Sequence, residues 1–169
     1  MGIMGDTFTE VIVPVKRNAG SYALQTSMVI LTVFCLGMGM FAVSLLMWVG
    51  AALIAADWFV FRRLNLEYEY SYANGDLDIA KIYSKQTRKN VCSIALADVI
   101  AAAPEGSSHL DSYRKLPTID YTTGTAEDMK KAFVIVANIK DKPTRLLLMP
   151  NEKIMKDMRT RGANKVFLN

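Results

Sequence analysis

Three patterns of hydrophobic and polar positions follow one another along the chain, and each predicts a different kind of element. Residues 18–56 form an unbroken run of 39 positions without Asp, Glu, Lys or Arg. As one helix that run would be about 58 Å long at 1.5 Å per residue, against a hydrocarbon core of about 30 Å that roughly 20 residues cross. Two crossings therefore fit better than one. Gly37 and Gly39 lie near the middle of the run, and glycine tolerates the backbone angles of a reversal. The expected element is a helical hairpin over residues 20–61, with helices at about 20–38 and 42–61.

After Arg63 the period drops to two. Leu66, Tyr68, Tyr70 and Tyr72 alternate with Glu67, Glu69 and Ser71; Leu77, Ile79 and Tyr83 alternate with Asp76, Asp78 and Ser84. Asn74-Gly75 between the two runs is the strongest short hairpin signal. Further strands are expected over 89–97, 98–103, 117–122, 132–140 and 144–149, with a short helix in 107–116 and a turn at Asp141-Lys142-Pro143. Asn151 offers an N-cap for a closing helix whose apolar stripe is Ile154, Met155 and Met158.

Ahead of the apolar run, Phe8, Val11, Ile12 and Val15 repeat at helical spacing and Thr7 with Glu10 has the spacing of a capping box. A short helix on the membrane surface satisfies both. The stretch is rich in β-branched residues, and a strand is the alternative. Residues 1–19 are accordingly set apart as an N-terminal segment, 20–61 as the hairpin and 64–169 as a separate cytoplasmic domain.

Charge settles the expected orientation. The 169 residues carry a net charge of +4, divided as −1 over residues 1–61 and +5 over residues 62–169. Lys16 and Arg17 precede the apolar run, Arg62 and Arg63 follow it, and its middle carries none. Basic flanks face the cytoplasm, so both termini are expected there, in a multi-pass membrane protein. Trp58, Phe59 and Phe61 belong to an interfacial aromatic belt. Asp57 is either a proton or ion site or an interfacial carboxylate near Arg62 or Arg63; the depth favours the second. The small-residue pairs Ala23–Ser27, Ala51–Ala55 and Ala52–Ala56 have the spacing that lets helices approach and are expected to seal the hairpin. A signal peptide does not fit, because its apolar core is only 7–15 residues.

Little in the sequence points to catalysis. His109 is the only histidine, and Ser107, Ser108 and Asp111 lie too near it in sequence to converge as a nucleophile–base–acid set. Cys35 and Cys92 lie on unlike segments, and a reducing compartment disfavours their pairing. Asp76 and Asp78 read as a solvent-facing strand edge, and the tyrosines as a core stripe rather than a base-stacking platform. With no phosphate loop and no zinc-ligand pair, no catalytic residue, metal or cofactor is expected. The basic balance comes without a nucleic-acid recognition motif. Lys85, Arg88 and Lys89 on one turn, and Lys140, Lys142 and Arg145 near another, are the candidates for contact with lipid or a partner. A basic residue at an anionic leaflet contributes about 1 kcal/mol.

About seven strands followed by a helix resemble the pleckstrin-homology-like (PH-like) fold, a bent sheet capped by a C-terminal helix. The whole chain resembles a bacterial family of unknown function with a short N-terminal segment, a two-helix membrane hairpin and a PH-like cytoplasmic domain. The resemblance rests on Leu66-Glu67-Tyr68-Glu69-Tyr70, Asn74-Gly75-Asp76-Leu77-Asp78-Ile79, the basic turn from Lys85 to Lys89, and Met149-Pro150-Asn151-Glu152-Lys153. It implies an α+β, multi-pass protein of a bacterial plasma membrane with a mainly β, PH-like barrel, and it carries over no catalytic residue. The expected role is a non-enzymatic interaction module or accessory subunit, held at the membrane by its hairpin and bound to a membrane or cytoplasmic protein. The alternatives are an anionic-lipid sensor and a non-catalytic subunit of a membrane enzyme or transporter.

Overall fold

The computed structural model describes residues 8–168. The chain divides into two compact units. One comprises residues 17–66 with 83–86; the other gathers the N-terminal segment to residue 16 with residues 67–82 and 87–169.

The first unit is the helical hairpin. Helix α1 runs Ala19–Phe41 and helix α2 runs Leu45–Leu64. Asn18 caps α1, its Oδ1 accepting from the Ser21 amide at 2.8 Å. The reversal falls at residues 42–44, where the Ala42 and Val43 amides both donate to the Met38 carbonyl. It is thus later than the two-glycine site expected for it, and the reason is packing. A Cβ on Gly39 would stand 2.7 Å from the Met47 Cα, and one on Gly50 would stand 2.6 Å from Leu36 Cδ2. Glycine here permits close approach of two helices rather than a turn. The alanine pairs do not seal the hairpin: Ala51, Ala52, Ala55 and Ala56 are all exposed, as are Ala23 and Ser27. Both helices are long and apolar enough to cross a membrane, with mean hydropathies of 1.8 and 1.6. Phe34, Met40, Phe41, Trp48 and Trp58 point outward, whereas a soluble protein's apolar helix would bury such residues.

The second unit contains eight strands in two sheets. Strands β1 (Phe8–Pro14), β2 (Leu66–Ala73), β3 (Asp76–Tyr83) and β4 (Thr87–Ala95) form the first, in sequence order. The described part of the N-terminal segment therefore forms a strand at Phe8–Pro14, not a surface helix; Thr7 of the expected capping box lies outside the described residues. β1 pairs antiparallel with β2, from Phe8 opposite Ala73 to Pro14 opposite Glu67. Its β-branched residues suit that position, and Val13 is buried. The domain accordingly does not begin at residue 64: its first strand precedes the hairpin.

Asn74 and Gly75 make the expected tight turn between β2 and β3, both at positive φ (53° and 106°). Ser84 and Lys85 turn β3 into β4 in the same left-handed region, at 50° and 57°. A 3₁₀ turn at Leu96–Asp98 redirects the chain into the second sheet, whose order is β5 (Val99–Pro104), β7 (Phe133–Ile139), β8 (Lys142–Leu148), β6 (Thr118–Asp120). Lys140 and Asp141 form its β7–β8 turn, one residue earlier than expected. Because β5 pairs with β7 rather than β4, the sheets do not close into the expected barrel.

Between the sheets lie Tyr70, Tyr72, Leu77, Ile79, Val99, Ile135, Leu146 and Leu148, all essentially inaccessible. Helix α3 (Ala126–Lys130) and the 3₁₀ segment Ser108–Tyr113 lead into a second cluster of Ala103, Leu110, Val134 and Val136 with Met129 and Tyr113, which explains why β7 is apolar on both faces. Helix α4 (Glu152–Arg161) is capped by Asn151, whose Oδ1 accepts from the Ile154 amide at 2.9 Å. The tail beyond it follows β5, with Ala102 bonded to Lys165 and Phe167 through backbone groups at 2.7 Å.

Candidate functional site

The tyrosine stripe is structural. Tyr70 donates to the Tyr121 carbonyl at 2.5 Å and accepts from the Met149 amide. Tyr72 donates to Asp157 of α4 at 2.7 Å, and Arg161 donates to the same carboxylate. Burial pushes the Tyr121 phenol up to about 12 and those of Tyr70 and Tyr72 further, so all three stand neutral. They tie β2 to the second sheet and the closing helix and leave no aromatic face for stacking on a base.

The remaining chemical candidates are held in structural contacts. His109 is exposed, and its ring stacks on Phe167 at 3.7 Å with 5° between planes, with Arg159 over Phe167 at 5.6 Å. Burial raises the Cys92 thiol, with Asp78 adding to the effect, which is the reverse of what activates a thiolate. Asp76 is exposed and Asp78 partly so, beside the inward-facing Leu77 and Ile79. Among the described residues no three His, Cys, Asp or Glu side chains come together as metal ligands.

The six basic candidates do not form one patch. Arg88 and Lys89 lie on β4 in the first sheet, Lys140 and Lys142 on the β7–β8 turn and the start of β8 in the second. Lys85 belongs to the hairpin unit. Arg88 is paired with Glu69 at 2.8 Å. Arg145 is withdrawn from the surface altogether: its side chain is 9% exposed and donates to Glu105 at 2.6 Å. It lies centrally in β8 rather than on a turn, a difference the early end of the β7–β8 turn accounts for.

The apolar stripe of α4 is divided between the core and a surface groove. Ile154 and Met158 are fully buried in the core. The groove that does exist is lined by Pro104, Phe133, Met155 and Leu168, with Glu152 and Lys156 at its rim. More prominent is the edge of β4. Residues 87–91 are all exposed, and among the described strands β4 has a partner only in β3.

The N-terminal strand carries a contact that the sequence pattern did not single out. Lys16 donates to Asp128 Oδ2 at 2.9 Å and its amide donates to the Thr123 carbonyl at 2.8 Å. Hydroxyls of Thr123 and Thr125 donate to the same carboxylate. The Thr123 hydroxyl, then Lys16, then Thr125 hold that carboxyl well below the usual carboxylate range. Lys16, read from sequence only as a membrane flank, thus locks β1 onto the domain.

The hairpin carries a polar pair of its own. Asp57, expected as an interfacial carboxylate near Arg62 or Arg63, accepts from Thr32 on α1, and its second oxygen is buried without a partner among the described residues.

A two-sheet β-domain with a C-terminal helix, interrupted after its first strand by two apolar helices, defines a PH-like domain with a helical hairpin inserted in it. The chain belongs to the family described as bacterial PH-like domain (DUF6106), which it matches over residues 5–168. That span takes in β1, the hairpin and α4 together. No curated protein and no solved structure matches the chain.

Proposed function

We propose that this protein is a non-enzymatic interaction module fixed at the cytoplasmic face of a bacterial plasma membrane, serving as an accessory subunit to another protein. One observation carries the reading: the hairpin leaves the sheet after β1 and returns into β2, and these two strands are paired antiparallel up to Pro14 opposite Glu67, five residues before α1 begins and three after α2 ends. That pairing supports a hairpin with both ends on one side of the membrane, and the basic flanks Lys16, Arg17, Arg62 and Arg63 favour the cytoplasm as that side. The partner is an extended segment of a protein laid along β4, whose main-chain groups are open to strand addition.

The experiment is site-specific photocrosslinking in native membranes. A photoreactive residue at Val91 on β4 is expected to give a discrete adduct, and the same probe at Lys153, on the outer face of α4, is not. Adducts at Lys153 with none at Val91 would sink the strand-addition reading. Accessibility of both termini only from the periplasmic side would sink the topology.

A further inference from the structure

We infer that the base of the hairpin is a binding site for one anionic phospholipid, with its phosphate at Arg17 and an acyl chain along Val29 and Ile30 of α1. Four of the five arginines outside the hairpin lie against carboxylates, Arg88, Arg114, Arg145 and Arg161 at 2.6–2.8 Å, while Arg159 donates to the backbone carbonyls of Ala163 and Val166. Among the described residues the three arginines of the hairpin have no carboxylate partner. Arg17 donates to the side-chain oxygens of Gln25 (3.1 Å) and Asn65, and Arg62 to that of Gln86 (3.0 Å). Arg62 stacks over Trp58 at 4.8 Å and Arg63 over Phe59 at 4.5 Å. These partners orient the guanidinium groups and leave their charge uncompensated.

A fourth cation joins them. Ser84 donates through its hydroxyl to the Arg62 carbonyl at 3.0 Å and through its amide to the Asn65 carbonyl at 2.8 Å, which fixes the strained Ser84-Lys85 turn at the end of α2 and places Lys85 there. The only acid in this unit is Asp57, and it is turned to Thr32.

The ligand's apolar half is read from the groove on α1. It is lined by Arg17, Tyr22, Gln25, Thr26, Val29 and Ile30, so it is cationic at one end and apolar at the other. A soluble phosphate compound would leave the apolar end empty, and a hydrocarbon would leave the guanidinium unpaired. A zwitterionic headgroup would bring an ammonium among four cations. Planar guanidinium donors match the oxygens of a phosphodiester.

This inference rests on the hairpin crossing the membrane, so its test has two stages. Alkaline carbonate extraction of membranes comes first; release of the protein would refute the membrane reading itself. The full chain in detergent micelles is then titrated with phosphatidylglycerol, phosphatidylcholine or glycerol phosphate and the complexes are counted by native mass spectrometry. One phosphatidylglycerol is expected to bind in preference to phosphatidylcholine. Arg17→Gln and Lys85→Gln each lower its affinity about fivefold, and Arg17→Gln with Arg62→Gln and Arg63→Gln about a hundredfold. Ile30→Trp, which fills the groove and removes no charge, also weakens binding, while Lys142→Gln does not. Circular dichroism verifies that each variant is folded. Equal binding of both lipids, no loss in Lys85→Gln and the triple variant, or competition by glycerol phosphate at matched concentration would overturn the site while leaving the anchor reading intact.

Discussion

The Thr32 hydroxyl donates to Asp57 Oδ2 at 2.8 Å, joining α1 to α2, while Asp57 Oδ1 is buried with no donor. The carboxyl is half satisfied, and the Thr32 hydroxyl is its one hydrogen-bond donor among the described residues. Thr32→Val is expected to destabilise the hairpin by about 1–3 kcal/mol, because both carboxyl oxygens are then buried without a donor. The double variant Thr32→Val/Asp57→Leu should recover most of that loss, since no polar group remains to be satisfied. Denaturant unfolding in detergent micelles, monitored by circular dichroism, measures both. Additive losses in the double variant would refute the pairing.

Gly37 and Gly39 are two residues apart and should respond oppositely to the same change. A Cβ at Gly37 meets nothing within 4 Å, whereas one at Gly39 meets the Met47 backbone. Gly39→Ala is expected to cost about 1–3 kcal/mol through overpacking, and Gly37→Ala to be neutral or slightly stabilising. Thermal unfolding of the two variants decides the matter.

The pairing of Pro14 with Glu67 makes the hairpin removable. Residues 8–16 joined through a four-residue glycine-rich loop to residues 66–168 should fold as a water-soluble domain, because the loop closes an antiparallel strand pair. A chain starting at residue 64 lacks β1 and leaves β2 as an open edge. It is expected to melt at a lower temperature and to aggregate. Scanning calorimetry of the two proteins is the measurement, and equal melting would show that β1 contributes nothing.

Asp128 gives a pH signature. Its carboxyl is held below the usual range by Thr123, Lys16 and Thr125, so the folded state binds its proton less readily than the unfolded chain. The contribution is complete above the ordinary carboxylate range, at about pH 4, and is lost as pH falls further. Wild type should therefore melt above Asp128→Asn at pH 7, with the gap narrowing only below about pH 4. A constant gap across that range would show that the ion pair with Lys16 is immaterial.

Elements that depend on local pattern were legible in the sequence, and those that depend on distant partners were less so. Asn74-Gly75 and Asn151 announce a turn and a cap because each acts on residues no more than three positions away. The apolar run announces a hairpin because composition alone separates lipid-facing from water-facing chain. The strand at Phe8–Pro14 was ambiguous because its seven residues fit both periods, and its partner lies beyond the hairpin. Arg145 read as a turn cation because nothing local to it shows that Glu105, 40 residues earlier, lies beside it. The arginines of the hairpin read only as orientation signals. Their amide and aromatic partners, which leave their charge exposed, are visible only once Gln25, Asn65 and Gln86 are brought to them.

Placing the hairpin between β1 and β2 gives the sheet a means of checking its own insertion. During synthesis β1 leaves the ribosome first and waits while the next 51 residues, 15–65, are made. It can zip onto β2 only if the chain has crossed the bilayer an even number of times. A polypeptide that inserted one helix and stalled would hold β1 and β2 on opposite sides, each an unpaired edge open to aggregation and proteolysis. On the proposed topology, correct crossing and a complete domain would arrive in a single event, with strand pairing as the proofreading step.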